Sequence, residues 1–234
     1  MSGNKLNILI TGGNRGLGFE LVKICLVQEN NVIAIVRSEQ AKSVVEKHFP
    51  ECSVFVADIT NYSEVIEIDF FKSGTIDVLI NNAGAGGRGT SVTDTDPDEV
   101  ESQFKVHCLG AFNVTKAAYP ALANSASPTI INISSRVGSI SKNASGEFTN
   151  KGFTYSYRIG KAAQNMLTQC LAQELGPHGF RVCALHPGRL LTASGAHDAH
   201  MQPHESASKI YDLFTKNKLE NGGYYCVETG EIPW

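Results

Sequence analysis

At 234 residues the chain is long enough to bury one substantial α/β core and short for two. Its 42% hydrophobic and 18% charged residues are those of an ordinary globular protein, and a net charge of −3 offers no electrostatic pull toward nucleic acid or an anionic membrane. The opening MSGNKLNILITGG lacks an apolar run of signal-peptide length and no stretch reaches membrane-span length, so a cytoplasmic protein is expected.

The elements alternate along the chain. LNILIT (6–11) reads as a buried strand, GLGFELVKICLVQE (16–29) as a helix, and NVIAIVR (31–37) as a second strand. SEQAKSVVEKHF (38–49) is helical, CSVFVADI (52–59) a third strand, and TIDVLINNAG (75–84) a strand ending in a glycine turn. A long helix is expected over 96–122, a strand at TIINISS (129–135), a helix over 155–175 and a strand at FRVCALHPG (180–188). Continuously apolar strands between helices predict a parallel sheet covered on both faces, and right-handed crossovers make it doubly wound. No repeat, charge block or low-complexity linker divides the chain, so residues 1–234 are expected to form one domain. Six cysteines (25, 52, 108, 170, 183 and 226) show no CxxC spacing and read as free thiols in a reducing compartment. The N-x-S/T triplets at Asn61, Asn113 and Asn143 read as chance matches by the same logic.

TGGNRGLG (11–18) lies between the first strand and the first helix. Gly12, Gly16 and Gly18 permit a tight turn, close approach of a pyrophosphate, and close helix–strand packing, while the helix N-terminus suits an anion. An acidic residue at the end of the second strand would bind the ribose 2′-hydroxyl of NAD. Here that end reads AIVRSEQ, with no carboxylate until Glu39. Arg37 and Arg15 supply two guanidiniums that can clamp a 2′-phosphate, against the alternative of two solvated surface arginines; NADP(H) is the expected cofactor. In YSYRIGK (155–161), Tyr157 and Lys161 share one helix face a turn apart. A cation beside the phenol would bring its pKa of ~10 toward working pH.

Together with NNAG (81–84), INISS (131–135), YRIGK (157–161) and HPGRLLT (186–192), the glycine loop resembles the short-chain dehydrogenase/reductase family over nearly the whole chain. SRVGS (135–139), YSYRIGKAAQN (155–165) and the ending NGGYYCVETGEIPW (221–234) resemble Sniffer-like carbonyl reductases and bacterial C-factor proteins. The resemblance implies a Rossmann-type sheet and a set of roles. Gly12, Asn14, Arg15, Gly16, Leu17 and Gly18 would line the cofactor phosphates, Asp58 and Ile59 the adenine, and Asn82, Ala83 and Gly84 the adenosine ribose. Pro187, Gly188, Leu190 and Thr192 would fix the nicotinamide. Ser135, Tyr157 and Lys161 match the family's catalytic residues: Tyr157 gives a proton to a carbonyl oxygen, Lys161 lowers its pKa and holds the nicotinamide ribose, and Ser135 donates a hydrogen bond to the same oxygen. Tyr155, out of step with Lys161, would pack or touch substrate.

The sequence departs from the family in three places. His107, in KVHCLGAF, stands where an asparagine usually carries a water of the proton relay. Imidazole can also donate and accept but titrates near ~6.5, and it could equally be a packed histidine. Gly160 replaces a small serine before the lysine, and 136–156 is longer than usual and reads as a loop at the site mouth. GAHDAHMQPHE (195–205) clusters His197, His200 and His204 with Asp198 and Glu205, yet Pro203 interrupts any single helix face and the stretch falls in the family's substrate lid, around 193–209. No metal is expected.

These readings predict an NADPH-dependent oxidoreductase that reduces a small ketone, aldehyde or quinone. The alternatives are an NADP(H)-binding signalling protein of C-factor type with weak turnover, or a ketoreductase dedicated to one biosynthetic substrate. The resemblance also implies a homodimer through the helices at 96–122 and 155–175.

Overall fold

The computed structural model describes residues 5–192 and 198–234. Its strands are β1 (Asn7–Thr11), β2 (Asn31–Val36), β3 (Ser53–Val56), β4 (Val78–Asn81), β5 (Thr129–Ile133), β6 (Arg181–His186), β7 (Tyr224–Cys226) and β8 (Gly230–Glu231). They form one sheet in the order β3-β2-β1-β4-β5-β6-β7-β8, parallel through β7, with β8 antiparallel at the edge. The helices are α1 (Gly16–Val27), α2 (Glu39–His48), α3 (Tyr62–Ile66), α4 (Phe70–Ser73), α5 (Pro97–Phe104), α6 (Gly110–Ala123), α7 (Ile140–Ala144), α8 (Tyr155–Leu175) and α9 (Pro203–Thr215).

The two-residue period of each strand divides its side chains between two apolar layers. Ile8, Ile10, Ala34 and Ile80 face Leu21, Val22 and Cys25 of α1 and Ile210 and Phe214 of α9. Leu9, Ile33, Leu79, Ile130 and Val182 face Val114 and Ala118 of α6 and Leu171 of α8. Both faces are therefore covered, which is why the strands read as unbroken apolar runs. The β6–α9–β7 connection is an exception to the right-handed rule. It advances along the sheet in the same direction as β4 to β5, yet its helix lies on the opposite face, beside α1. Strand order reverses between β1 and β4, and the loops after β1, β4, β5 and β6 meet at that end of the sheet, where a doubly wound fold opens its crevice. No helix among the described residues is long and apolar enough to cross a membrane.

The sequence reading named no element at 60–74 or after 188, where the structure has α3, α4, α9, β7 and β8, and three further differences bear on the site. The helix expected as one piece over 96–122 is interrupted by a π-helical turn, Lys105–Leu109, between α5 and α6. The 136–156 stretch holds a 3₁₀ turn (Arg136–Gly138) and α7 rather than a free loop, and it is tied down: Ser139 donates to the Pro233 carbonyl at 2.5 Å and the Ser141 amide to that of Trp234 at 2.9 Å. Pro203, expected to break a helix, instead begins α9, because a first helical position has no N–H to lose. Of the lid segment, 193–197, including His197, lies outside the described residues.

Candidate active site

The glycine loop takes a backbone that only glycine accommodates at its tightest points. Gly12 and Gly16 adopt φ of +74° and +55°, and a Cβ on Gly18 would sit 2.1 Å from the Gly12 carbonyl oxygen. Arg15 stands at the N-cap of α1 without a side-chain cap, leaving the helix's first N–H groups to face the crevice. Across that crevice, the Cβ position of Gly16 lies 3.8 Å from Thr192 Cγ2, so the loops after β1 and β6 approach over one cleft. Arg15, in the loop, and Arg37, directly after β2, are both exposed. Such a cradle, open only where Cβ atoms are missing and bordered by uncapped amides, fits the pyrophosphate of a dinucleotide.

The neighbouring residues turn out to brace the cradle. The Asn82 side-chain amide donates to the Thr11 carbonyl at 2.9 Å, and the Thr11 hydroxyl accepts the Asn82 and Ala83 amides at 3.0 and 2.9 Å. Asp58 uses Oδ1 to accept from the Thr60 amide and hydroxyl at 2.9 and 2.8 Å. Ile59 packs against Gly110, and its carbonyl accepts from Asn113 at 2.9 Å. After β6, Gly188 takes φ +88°, the Pro187 carbonyl accepts from Ser206 at 2.6 Å, and Leu190 bridges to Met201.

Ser135 follows β5, while Tyr157 and Lys161 lie on the first two turns of α8. A ladder of buried polar groups registers that helix on the sheet. Asn81 donates to Asn132 at 2.9 Å, Asn132 to Thr168 at 2.9 Å, and Ser134 to Asn165 at 2.5 Å. A Cβ on Gly138 would sit 2.9 Å from Lys161 Cβ, so the turn after Ser135 lies flat on α8. Tyr224 also donates its hydroxyl to the Ser135 carbonyl, with Trp234 stacked on its ring at 4.8 Å. Asn132 and Asn165 stand inside stretches that the sequence singles out; nothing in the sequence pairs Tyr224 with Ser135.

Lys161 is buried, and its ammonium donates to the Ile133 carbonyl at 2.6 Å and Gln164 Oε1 at 3.0 Å, 5.8 Å from the centre of the Tyr157 ring. Burial pushes its pKa down to about 7. Burial raises that of Tyr157, and the Ser135 hydroxyl opposes the rise. The expected lowering of the Tyr157 phenol by Lys161 is therefore not what this geometry gives: desolvation comes first for both groups, and it moves the phenol up and the lysine down. Tyr155, by contrast, is 39% exposed at the start of α8.

His107 sits in the π-helical turn at 1% exposure, edge-on to the Tyr157 ring at 5.3 Å. Its Nε2 lies 3.0 Å from both the Ala85 carbonyl and Gln103 Oε1, two acceptors, so Nε2 carries the proton. Nδ1 is left as a buried acceptor without a partner among the described residues. Burial, and then the Lys161 charge, hold its pKa well below the usual range, against the Ala85 hydrogen bond. Burial and the neighbouring charge thus both favour the neutral imidazole.

The same contacts account for Gly160. A Cβ there would lie 2.9 Å from the Gln103 carbonyl oxygen and 3.2 Å from His107 Cδ2. Gly160→Ala should destabilise the protein by about 1–3 kcal/mol through overpacking, despite alanine's better helix propensity. Denaturant unfolding checks this; a variant as stable as the parent would mean that the π-helical turn yields freely.

A family model for short chain dehydrogenases matches residues 6–203. C-signal of Myxococcus xanthus is 32% identical over 163 residues, covering 69% of this chain and 95% of that protein. The carbonyl reductase Sniffer of D. melanogaster superposes with a TM-score of 0.86 at 27% identity, over 99% of this chain and 100% of that one. The NADPH-bound carbonyl reductase from chicken fatty liver superposes with a TM-score of 0.85 at 25% identity, covering 98% and 99%. With its glycine cradle, its Ser–Tyr–Lys cluster and a family match over most of its length, the chain belongs to the short-chain dehydrogenase/reductase family.

Proposed function

We propose that the protein is an NADPH-dependent reductase of small ketone, aldehyde or quinone carbonyls, with Tyr157 as proton donor. The observation that carries this reading is the buried Lys161 ammonium beside the Tyr157 ring, set next to Ser135 at the mouth of the glycine cradle. Gly12, Asn14, Arg15, Gly16, Leu17 and Gly18 would hold the phosphates, Arg15 and Arg37 the 2′-phosphate, and Asp58 and Ile59 the adenine. Asn82, Ala83 and Gly84 would line the adenosine ribose. Pro187, Gly188, Leu190 and Thr192 would hold the nicotinamide, which supplies a hydride for the carbonyl carbon when bound. Ser135 orients the substrate oxygen by donating a hydrogen bond to it. Tyr157 releases its proton to that oxygen, and the Lys161 charge stabilises the phenolate left behind. In this role Lys161 also donates to the ribose, moving from its present carbonyl partner.

A neutral His107 enters this scheme as an acceptor. With Nε2–H committed to Ala85 and Gln103, Nδ1 can hold a relay water but cannot donate to it. His107→Ala should then lower turnover by less than the ~10²-fold typical of a direct general acid, with little change in NADPH affinity. The wild-type pH–rate profile should carry no inflection from this residue near pH 6.5, since burial keeps it neutral there. Unchanged turnover in His107→Ala would leave it a packing residue.

A homodimer is part of the proposal. Phe112 and Tyr119 on α6, and Ile159 and Met166 on α8, are exposed large apolar residues, each pair seven apart and so on one helix face. Sedimentation should give twice the chain mass, and Met166→Glu should shift it toward monomer.

A second reading, a signalling protein that binds NADP(H) and turns over little, is favoured by the likeness to C-signal. Purified protein, NADPH and a panel of carbonyls separate the two. Loss of nicotinamide absorbance that depends on a carbonyl supports the reductase; cofactor binding with no loss across the panel supports the second reading.

A further inference from the structure

Beside the catalytic cluster, the ends of β6 and β7 border a half-open cavity of about 200 Å³, walled on its other side by Arg136, Lys142 and Glu147, that the proposed reduction does not use. His186 lines it at 6% exposure, and neither ring nitrogen has a hydrogen-bond partner among the described residues. A neutral imidazole always presents one donor and one acceptor, and burying both unpaired is costly. Cys226 and Glu228 share the cavity, and one ligand atom from each of the three residues falls within 4.8 Å of the others. We propose that His186, Cys226 and Glu228 bind a divalent metal ion of the zinc class, with a fourth position open to the cavity.

The donor set of imidazole, thiolate and carboxylate favours zinc over the hard cations magnesium and calcium. Tetrahedral bonds of about 2.0–2.3 Å place donors roughly 3.3–3.8 Å apart, so side-chain movements of about 1 Å close the site. A thiolate and a carboxylate together neutralise the ion. The Glu228 amide already donates to Cys226 Sγ at 3.4 Å, a contact that steadies a thiolate. His200 Nε2 lies 2.7 Å from Glu228 Oε1 and would orient the carboxylate from outside. The nearby cations are partly offset: Arg136 and Arg189 share Asp198 at 2.7 and 3.5 Å and Lys142 lies 2.7 Å from Glu147, while Arg189 also stands 3.8 Å from Glu228 Oε1 and would have to yield that carboxylate to the ion. Glu228 also accepts from the Arg189 amide at 3.2 Å, so the bound ion would fasten the Pro187–Gly188 turn to β7. Of the histidines clustered at 195–205, this site uses only His200, as an outer partner. Forty residues separate His186 from Cys226, which is why spacing gave no metal signal.

Chelator-treated full-length protein should bind one equivalent of Zn²⁺ by calorimetry. With Co²⁺ it should show a thiolate-to-cobalt charge-transfer band together with the intense d–d bands of four-coordination. Cys226→Ser should abolish the charge-transfer band, and Glu228→Gln and His200→Gln should each weaken binding by about 10–100-fold. Cys170→Ser, at an exposed cysteine, should leave both readouts unchanged. Thermal unfolding without metal verifies that each variant is folded, and the wild-type titration needs no variant. Absence of stoichiometric binding to wild type, or a charge-transfer band that survives in Cys226→Ser, would overturn the proposal.

Discussion

Tyr157→Phe is expected to cut carbonyl reduction by about 10²–10⁴-fold, the typical worth of a positioned general acid. Only the hydroxyl is removed. The ring keeps its edge-on contact with His107 and its place beside the Lys161 ammonium, so NADPH binding should be unchanged. Tyr155→Phe should keep most activity, because that side chain is 39% exposed and out of step with Lys161. Steady-state rates and NADPH binding on both variants check this. Equal losses in the two would remove Tyr157 as the specific acid.

The second large effect concerns cofactor choice. Arg15 in the glycine loop and Arg37 after β2 are exposed, and β2 ends without a carboxylate to receive a ribose 2′-hydroxyl. A charge-assisted hydrogen bond is worth about 1.5–3 kcal/mol, so Arg37→Ala should weaken NADPH binding by about 10–150-fold, and Arg15→Ala similarly. NADH affinity should stay unchanged in Arg37→Ala, since NADH has no 2′-phosphate, whereas Arg15→Ala removes a group that also faces the pyrophosphate common to both cofactors. Wild type that binds NADH as tightly as NADPH would contradict the assignment.

What the sequence reveals follows physical range. Strands such as Ile8–Ile10 are legible because both faces are buried, and α8 spans the expected 155–175 because its apolar period is unbroken. The π-helical turn at Lys105–Leu109 is invisible, since one widened turn leaves the composition of the long helix unchanged. Pro203 misleads because a helix breaker in the interior is a favoured residue at the first position, where Glu205 accepts the Gln202 amide at 2.8 Å. In the site, the residue types are legible but their electrostatics are not. A sequence shows Lys161 one turn from Tyr157, whereas the depression of the lysine to about 7 comes from burial by distant segments. The neutrality of His107 and the need for Gly160 likewise depend on Gln103 and Ala85 converging in space.

The central claim is that this site moves a hydride to a carbonyl carbon while Tyr157 supplies the proton. The most direct measurement uses NADPH deuterated at its transferable position with a carbonyl that the protein turns over, followed by mass analysis of the alcohol. One deuterium on the former carbonyl carbon is expected with wild type, and the same labelled alcohol about 10²–10⁴-fold more slowly with Tyr157→Phe. Alcohol formed without deuterium, or formed equally fast by Tyr157→Phe, would contradict it.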